Sequence, residues 1–267
     1  MNGFAPAKSL GNVKAIAFLT LDTLFWSKKT LFIAFISALI LGLSILGRLI
    51  LNYRWMHATF TTAQVFGILL STAVIHFLVV FVTLFYGTAL ISEEVEGKTL
   101  TYLFIRPIPK PLVMIGKYLA LIWISTILVL PTIVASYAIL YVGSDAFFAD
   151  MATLGKDLGV VFLALLAYGS LFCLLGAWLK HSTLVGLIYA FGWEGIISYL
   201  PGMTRRLTIA HYVQSIFPHE DSASAMALIF GQRADGIEAT LTLTLLSIFF
   251  LSLSCLVLRE KEYILEQ

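Results

Sequence analysis

Long apolar runs leave this chain few folds to choose from. Six stretches, 30–51, 65–91, 112–141, 159–179, 183–200 and 240–258, approach or exceed the ~20 mostly apolar residues that a helix needs to cross a bilayer. The hydrophobic share is 60% against 12% charged, whereas ordinary soluble domains are about 45–50% apolar. A water-soluble fold of this length could not cover so much apolar surface. The chain therefore reads as an all-α, polytopic membrane protein, a single transmembrane domain over 1–267 with six transmembrane helices. The fifth run is the shortest. The third is the longest, and at about 1.5 Å per residue it should project beyond the hydrocarbon, tilt, or bend at Pro131, which removes a backbone hydrogen bond.

Orientation follows from the basic residues. With both termini inside, Lys8, Lys14, Lys28, Lys29, Lys98, Arg106, Lys110, Lys117, Lys180, Arg259 and Lys261 face the cytoplasm. Arg48, Arg54, Lys156, Arg205, Arg206 and Arg233 face outward, a division of 11 to 6 among 17. The positive-inside rule favours that arrangement. A net charge of +2, with basic residues dispersed among loops, speaks against nucleic acid as a partner. Cys173 and Cys255 fall inside apolar runs and offer neither a disulfide framework nor metal-ligand spacing. The first long run, Leu31 to Leu51, exceeds the 7–15 residues typical of the apolar core of a signal peptide, so it is expected to stay as a first span.

Two shorter segments have helical periodicity. Ahead of the first span, Val13, Ile16, Ala17, Thr20, Leu21, Leu24 and Phe25 share one face, which predicts an interfacial helix over 10–28 stopped by Ser27-Lys28-Lys29. The outer loop, 201–239, opens with Pro201-Gly202. It then repeats Leu207, Ala210, Val213, Ile216 and Phe217 and carries the apolar 222–230. Short re-entrant helices would explain both pieces, since backbone at membrane depth must be bonded or covered.

Charge is concentrated between the second and third spans. Glu93, Glu94, Glu96, Lys98, Arg106, Lys110 and Lys117 crowd into one stretch. Ser92 could cap a helix whose first turns carry the acids, favoured by the positive end of the dipole. Leu100, Leu103 and Phe104 form an i, i+3, i+4 knuckle, and Pro107, Pro109 and Pro111 end the helix. The order Glu94, Glu96, Gly97, Thr99, Leu100, Leu103, Arg106, Pro107, Ile108, Lys110, Gly116, Lys117 resembles type 2 ABC exporter permeases, with Lys98 as one departure. The six-span layout, N-terminal amphipathic helix and long last outer loop are similar too. The resemblance implies that 92–111 is a cytoplasmic coupling helix docking on a separate ABC ATP-binding subunit. The coupling residues would be Glu93, Glu94, Glu96, Gly97, Thr99, Leu100, Leu103, Phe104, Arg106 and Pro107. It further implies two copies of this permease with two ATP-binding subunits in the bacterial plasma (inner) membrane. ATP and Mg would then be bound by the partner, with no cofactor on this chain.

Two motifs mislead. Gly97-Lys98-Thr99 looks like the end of a phosphate-binding loop, but that loop needs Gly where Ser92 stands. Glu93-Glu94 at the end of a span suggests an intramembrane metalloprotease, but His57, His76 and His181 lack the spacing to complete a metal site. Charges at bilayer depth cost about 2.5–3.5 kcal/mol on insertion scales. Glu194 is the clearest, at i+4 and i+8 from Ala190 and Gly186, a small-residue face that turns it into the bundle. It reads either as a path or gate residue or as a buried pair with Arg205 or Arg206. His76, near the middle of the second run, is a packing or path residue. Arg48 is expected to snorkel to the interface, and Gly169, Cys173 and Ala177 to form a packing stripe. The competing functions are a membrane-embedded enzyme, which needs His76, Glu94 and Glu194 to converge, and a non-transporting anchor for an ATPase.

Overall fold

The computed structural model describes residues 6–52, 61–96, 109–144, 146–197, 203–217, 219 and 234–260. All regular elements there are helical. The helices are α1 (Pro6–Phe25), α2 (Lys28–Leu51), α3 (Thr62–Leu69), α4 (Val80–Glu96), α5 (Lys110–Tyr141), α6 (Ala146–Ala149), α7 (Met151–Trp178), α8 (Ser182–Ile188), α9 (Gly195–Ile197), α10 (Ile209–Ile216) and α11 (Gly236–Glu260). Wide π-helical turns over Leu70–Val79 join α3 to α4, and others over Tyr189–Glu194 join α8 to α9.

Among the described residues, five helices are long and apolar enough to cross a membrane: Lys28–Leu51, Thr62–Ser92, Lys110–Tyr141, Met151–Trp178 and Gly236–Glu260. The described part of the expected fifth run lies in the shorter apolar helix Ser182–Ile197, and 198–200 lie outside the described residues. Gly192, Gly195 and the wide turn lie in it, and each weakens a regular helix. The expected longest span is the longest helix, 32 residues, and it continues through Pro131.

The helices share two ends. Arg48 near the C-terminus of α2 donates to the Ile139 carbonyl of α5 at 2.6 Å, and a Cβ on Gly47 would lie 3.2 Å from Val65 of α3. Arg48 thus ties two helices together, a role beyond the snorkelling expected of it. The opposite end carries segment 97–108 between α4 and α5, and is called the hairpin end below. The centre is α7, with 67% of its apolar stretch buried against 17% in α2 and α11. Its closest crossing is with α4, where a Cβ on Gly176 would stand 2.9 Å from the Gly87 and Thr88 carbonyl oxygens. Absence of side chains lets these backbones touch. Gly169, Cys173 and Ala177 are buried as a packing stripe requires, and the backbone-to-backbone approach lies one residue away, at Gly176.

α1 packs on α5. The periodic stripe Val13, Ile16, Ala17, Thr20, Leu21 and Leu24 is buried or half-buried, facing the bundle rather than lipid. Among its described side chains, Phe18, Leu19, Phe25 and Trp26 are the large exposed apolar ones of that helix and its end. Phe25 therefore leaves the face the periodicity assigned to it.

Ser92 is not the start of a new helix. α4 runs through it to Glu96, and its hydroxyl donates to the Thr88 carbonyl at 2.6 Å. No Gly or Pro interrupts the chain between Leu90 and Glu96, so the span's helix simply continues through Glu96. Glu93, Glu94 and Glu96 occupy its last turns, at the negative rather than the positive end of a dipole. Gly97, Thr99, Leu100, Leu103, Phe104, Arg106 and Pro107 lie outside the described residues, as does the apolar 222–230.

Candidate functional site

The deepest polar cluster is assembled by the two wide turns and α10. A π-helical turn spaces its hydrogen bonds over five residues and swings side chains off the regular helix face. Glu194 ends the second such turn, with 6% of its surface exposed. Its Oε1 accepts from the backbone N–H groups of Ile209, at 2.8 Å, and Ala210, at 3.4 Å. The Tyr189 hydroxyl also donates to Oε1, at 3.4 Å, and the Tyr168 hydroxyl to Oε2. All four partners are donors, which suits an ionised carboxylate, an acceptor on both oxygens. The first N–H groups of a helix have no intrahelical partner and carry its positive pole. Glu194 therefore serves as a distant cap for α10, beside the local cap in which Thr208 Oγ1 accepts from His211 N–H at 3.3 Å.

His76 grips the same helix near its other end. Its Nδ1 lies 2.7 Å from the Ser71 carbonyl oxygen, so the proton sits on Nδ1. Nε2 is then the acceptor for the Gln214 amide, 3.2 Å away. That orientation turns the Gln214 oxygen toward Arg205, which donates to it at 2.6 Å. Arg205, one of the two arginines offered as a pair for Glu194, donates to Gln214, and the tyrosines and the helix pole bond the carboxylate. At 1.5 Å per residue, His76 lies roughly 20 Å along its helix from Thr62, and Tyr168 roughly 25 Å from Met151. The foot of α10 is held well inside the bundle.

The exit from α10 is fastened as well. His219 Nε2 is 3.1 Å from Asp157 Oδ2, with Asp157 fully buried. Phe66 and Phe217 pack against the imidazole at centroid distances of 5.7 and 4.9 Å. A Cβ on Gly67 would meet His219 at 3.0 Å. On α10 itself, burial and the charges of Arg205 and Arg206 push the His211 imidazole below its ordinary range.

Sequence reasoning singled out Glu194 and His76, and the structure brings both to α10. It missed Tyr168, Tyr189, Gln214 and Asp157. A tyrosine in an apolar run carries no mark of a distant carboxylate, but Asp157 at the mouth of a span was a legible signal. The cluster positions α10. Among the described residues no group of three or more His, Cys, Asp or Glu is placed to hold a metal ion. Glu94 and His76 ride the same continuous helix, separated by roughly 25 Å at 1.5 Å per residue. The convergence that an embedded enzyme would need at His76, Glu94 and Glu194 does not occur.

Near the hairpin end, Lys117 is buried in α5 and its Nζ donates to the Leu90 carbonyl of α4 at 2.6 Å. Beside it, Gly116 admits α1, since a Cβ there would lie 3.1 Å from the Val13 carbonyl oxygen.

Five apolar helices of crossing length among the described residues mark a multi-pass membrane protein. A family model described as ABC-2 family transporter protein matches residues 26–193, well over half of the chain. The chain belongs to that family, whose members are membrane components of ABC transporters, not themselves catalytic, and generally work with an ATP-binding subunit. No curated protein matches the chain.

Proposed function

We propose that this chain is the permease subunit of an ATP-driven exporter and that segment 92–111 is its grip on the ATP-binding subunit. The observation that carries the reading is the family match, which runs unbroken through the whole Glu93–Lys117 stretch. In this reading two copies of the chain pair with two ATP-binding subunits in a bacterial inner membrane, with both termini in the cytoplasm. Ser182–Ile197 belongs to the fifth of six crossings in this reading. ATP and Mg act on the partner; closure of the partner subunits pushes Leu100, Leu103 and Phe104, flanked by Glu93, Glu94, Glu96 and Arg106. The push moves α4 and α5. Glu194 and His76 hold α10 as a plug in the outward half of the path, so they act on the gate rather than on cargo.

The test is co-purification. The wild-type chain should carry an ABC ATP-binding subunit through two affinity steps, and Glu94→Arg or Leu103→Asp should lose it while keeping the permease intact. Full retention of the complex and of ATPase coupling in both variants would overturn the grip. A non-transporting anchor would instead retain the complex and show no ATP-dependent change around α10.

A further inference from the structure

Lys117 has only 2% of its surface exposed, and no other lysine or arginine is buried among the described residues. Burying an ammonium among apolar helices is costly. A lysine near a helix end usually avoids that cost by stretching its stem toward the headgroups. Lys117 does the opposite and turns into the bundle, where its Nζ meets the Leu90 carbonyl oxygen at 2.6 Å. Leu90 lies within α4, where its carbonyl belongs to the helix ladder. A carbonyl oxygen has two lone pairs, so the ammonium can take the second without unwinding the helix. An apolar side chain of the same length would fill the space without the desolvation. Buried charged groups of this kind are best explained where they fix a register that apolar packing leaves free to slide.

The neighbouring residue sharpens the point. Gly116 brings α1 so close that a Cβ would stand 3.1 Å from the Val13 carbonyl oxygen and from Ile16 Cγ2. Consecutive residues of a helix point about 100° apart, so Gly116 and Lys117 address two different neighbours, α1 and α4. The two helices that Lys117 connects are the two that segment 97–108 joins.

We infer that Lys117 is a positioning residue that locks α4 and α5 in axial register at the hairpin end, so that they move as one body. The inference rests on the coupling reading for the source of the push, but the lock itself does not. Without it, a push on the connecting segment would open or shear the two helices against each other and dissipate before reaching the bundle.

The lock is read as a distance. Spin labels on Val95→Cys, in the last turn of α4, and Leu119→Cys, on the exposed face of α5, are placed in a chain with Cys173 and Cys255 replaced. Pulsed electron resonance then gives the inter-label distribution in proteoliposomes, first for the permease alone and then with the ATP-binding subunit, with and without ATP. The expected result is one narrow peak that keeps its position in all three states. Lys117→Met should at least double its width, and Lys117→Arg, which keeps a long cationic donor, should restore it. A narrow, unmoved peak in Lys117→Met would overturn the lock, as would a peak that shifts with ATP in the wild type. Should Lys117→Met fail to fold, amine acylation of the wild-type chain in open membranes decides the matter. Lys117 should stay unmodified with and without ATP, and modification that rises with ATP would sink the inference. Failure of the wild-type chain to recruit an ATP-binding subunit would defeat the coupling reading alone, since the permease-only arm still tests the lock.

Discussion

Two of the buried charged residues, Lys117 and Glu194, hold opposite ends of the peptide dipole. Lys117 reaches a carbonyl of α4; Glu194 gathers the N–H groups that open α10. The partners differ in what they can do alone. α4 and α5 are parts of long apolar helices that the membrane sustains without help. α10 has 8 residues, below the ~12–15 at which an isolated helix becomes even marginal. Removing Glu194 should therefore melt something, whereas removing Lys117 should only let two stable helices slide. One charge maintains structure and the other maintains register.

The sharpest way to break that contrast is Glu194→Ala. It strands the α10 N–H groups and the Tyr168 hydroxyl in the bundle, and stability should fall by on the order of 3 kcal/mol. Thermal unfolding in detergent, with amide exchange rising over 209–216, would report it. Glu194→Gln keeps an acceptor for the helix N–H groups and should cost less. If Glu194→Gln destabilised the protein and left transport intact, its place on the gate would be lost. Next in size is Gly116→Ala at the hairpin end, where α1 must back away by a few tenths of an ångström, costing about 1 kcal/mol. It should be visible as easier proteolysis of α1. Lys117→Met should change unfolding by less than about 1 kcal/mol, because the desolvation of the charge disappears together with its bond. A loss as large as that of Glu194→Ala would erase the contrast.

The smallest effect is a pH dependence at α10. Burial and the two arginines depress the His211 pKa, so the unfolded chain binds the proton more readily than the folded one. Stability from this site is full above the ordinary histidine value of about 6.5 and declines as pH falls toward the depressed one. Exchange over 209–216 should thus speed up on acidification, and His211→Asn should remove that part of the slope.

Much of the architecture was legible because a bilayer imposes length and polarity directly on sequence. Five of the six apolar runs are helices of crossing length, and the stripe Val13–Leu24 is a real helical face. What it packs against was not legible, because an apolar stripe suits lipid and protein equally. The helix start expected at Ser92 does not occur, since a serine followed by acids looks like a cap whether or not the preceding helix has ended. Glu194 stood out as a charge in an apolar run. Its partners did not, because hydrogen bonds to backbone N–H groups 15 residues away leave no trace in composition. Lys117 was counted as a loop-side cation, and its burial depends on a neighbouring helix that the local sequence does not reveal.

Photo-crosslinking from two positions tests the whole account most directly. A photoreactive residue is placed at Leu103, in the connecting segment, and separately at Tyr212, on α10. The account predicts that an ABC ATP-binding subunit is captured in membranes from position 103 and not from position 212. Capture of that subunit from 212, or capture of only lipid and permease from 103, would contradict it.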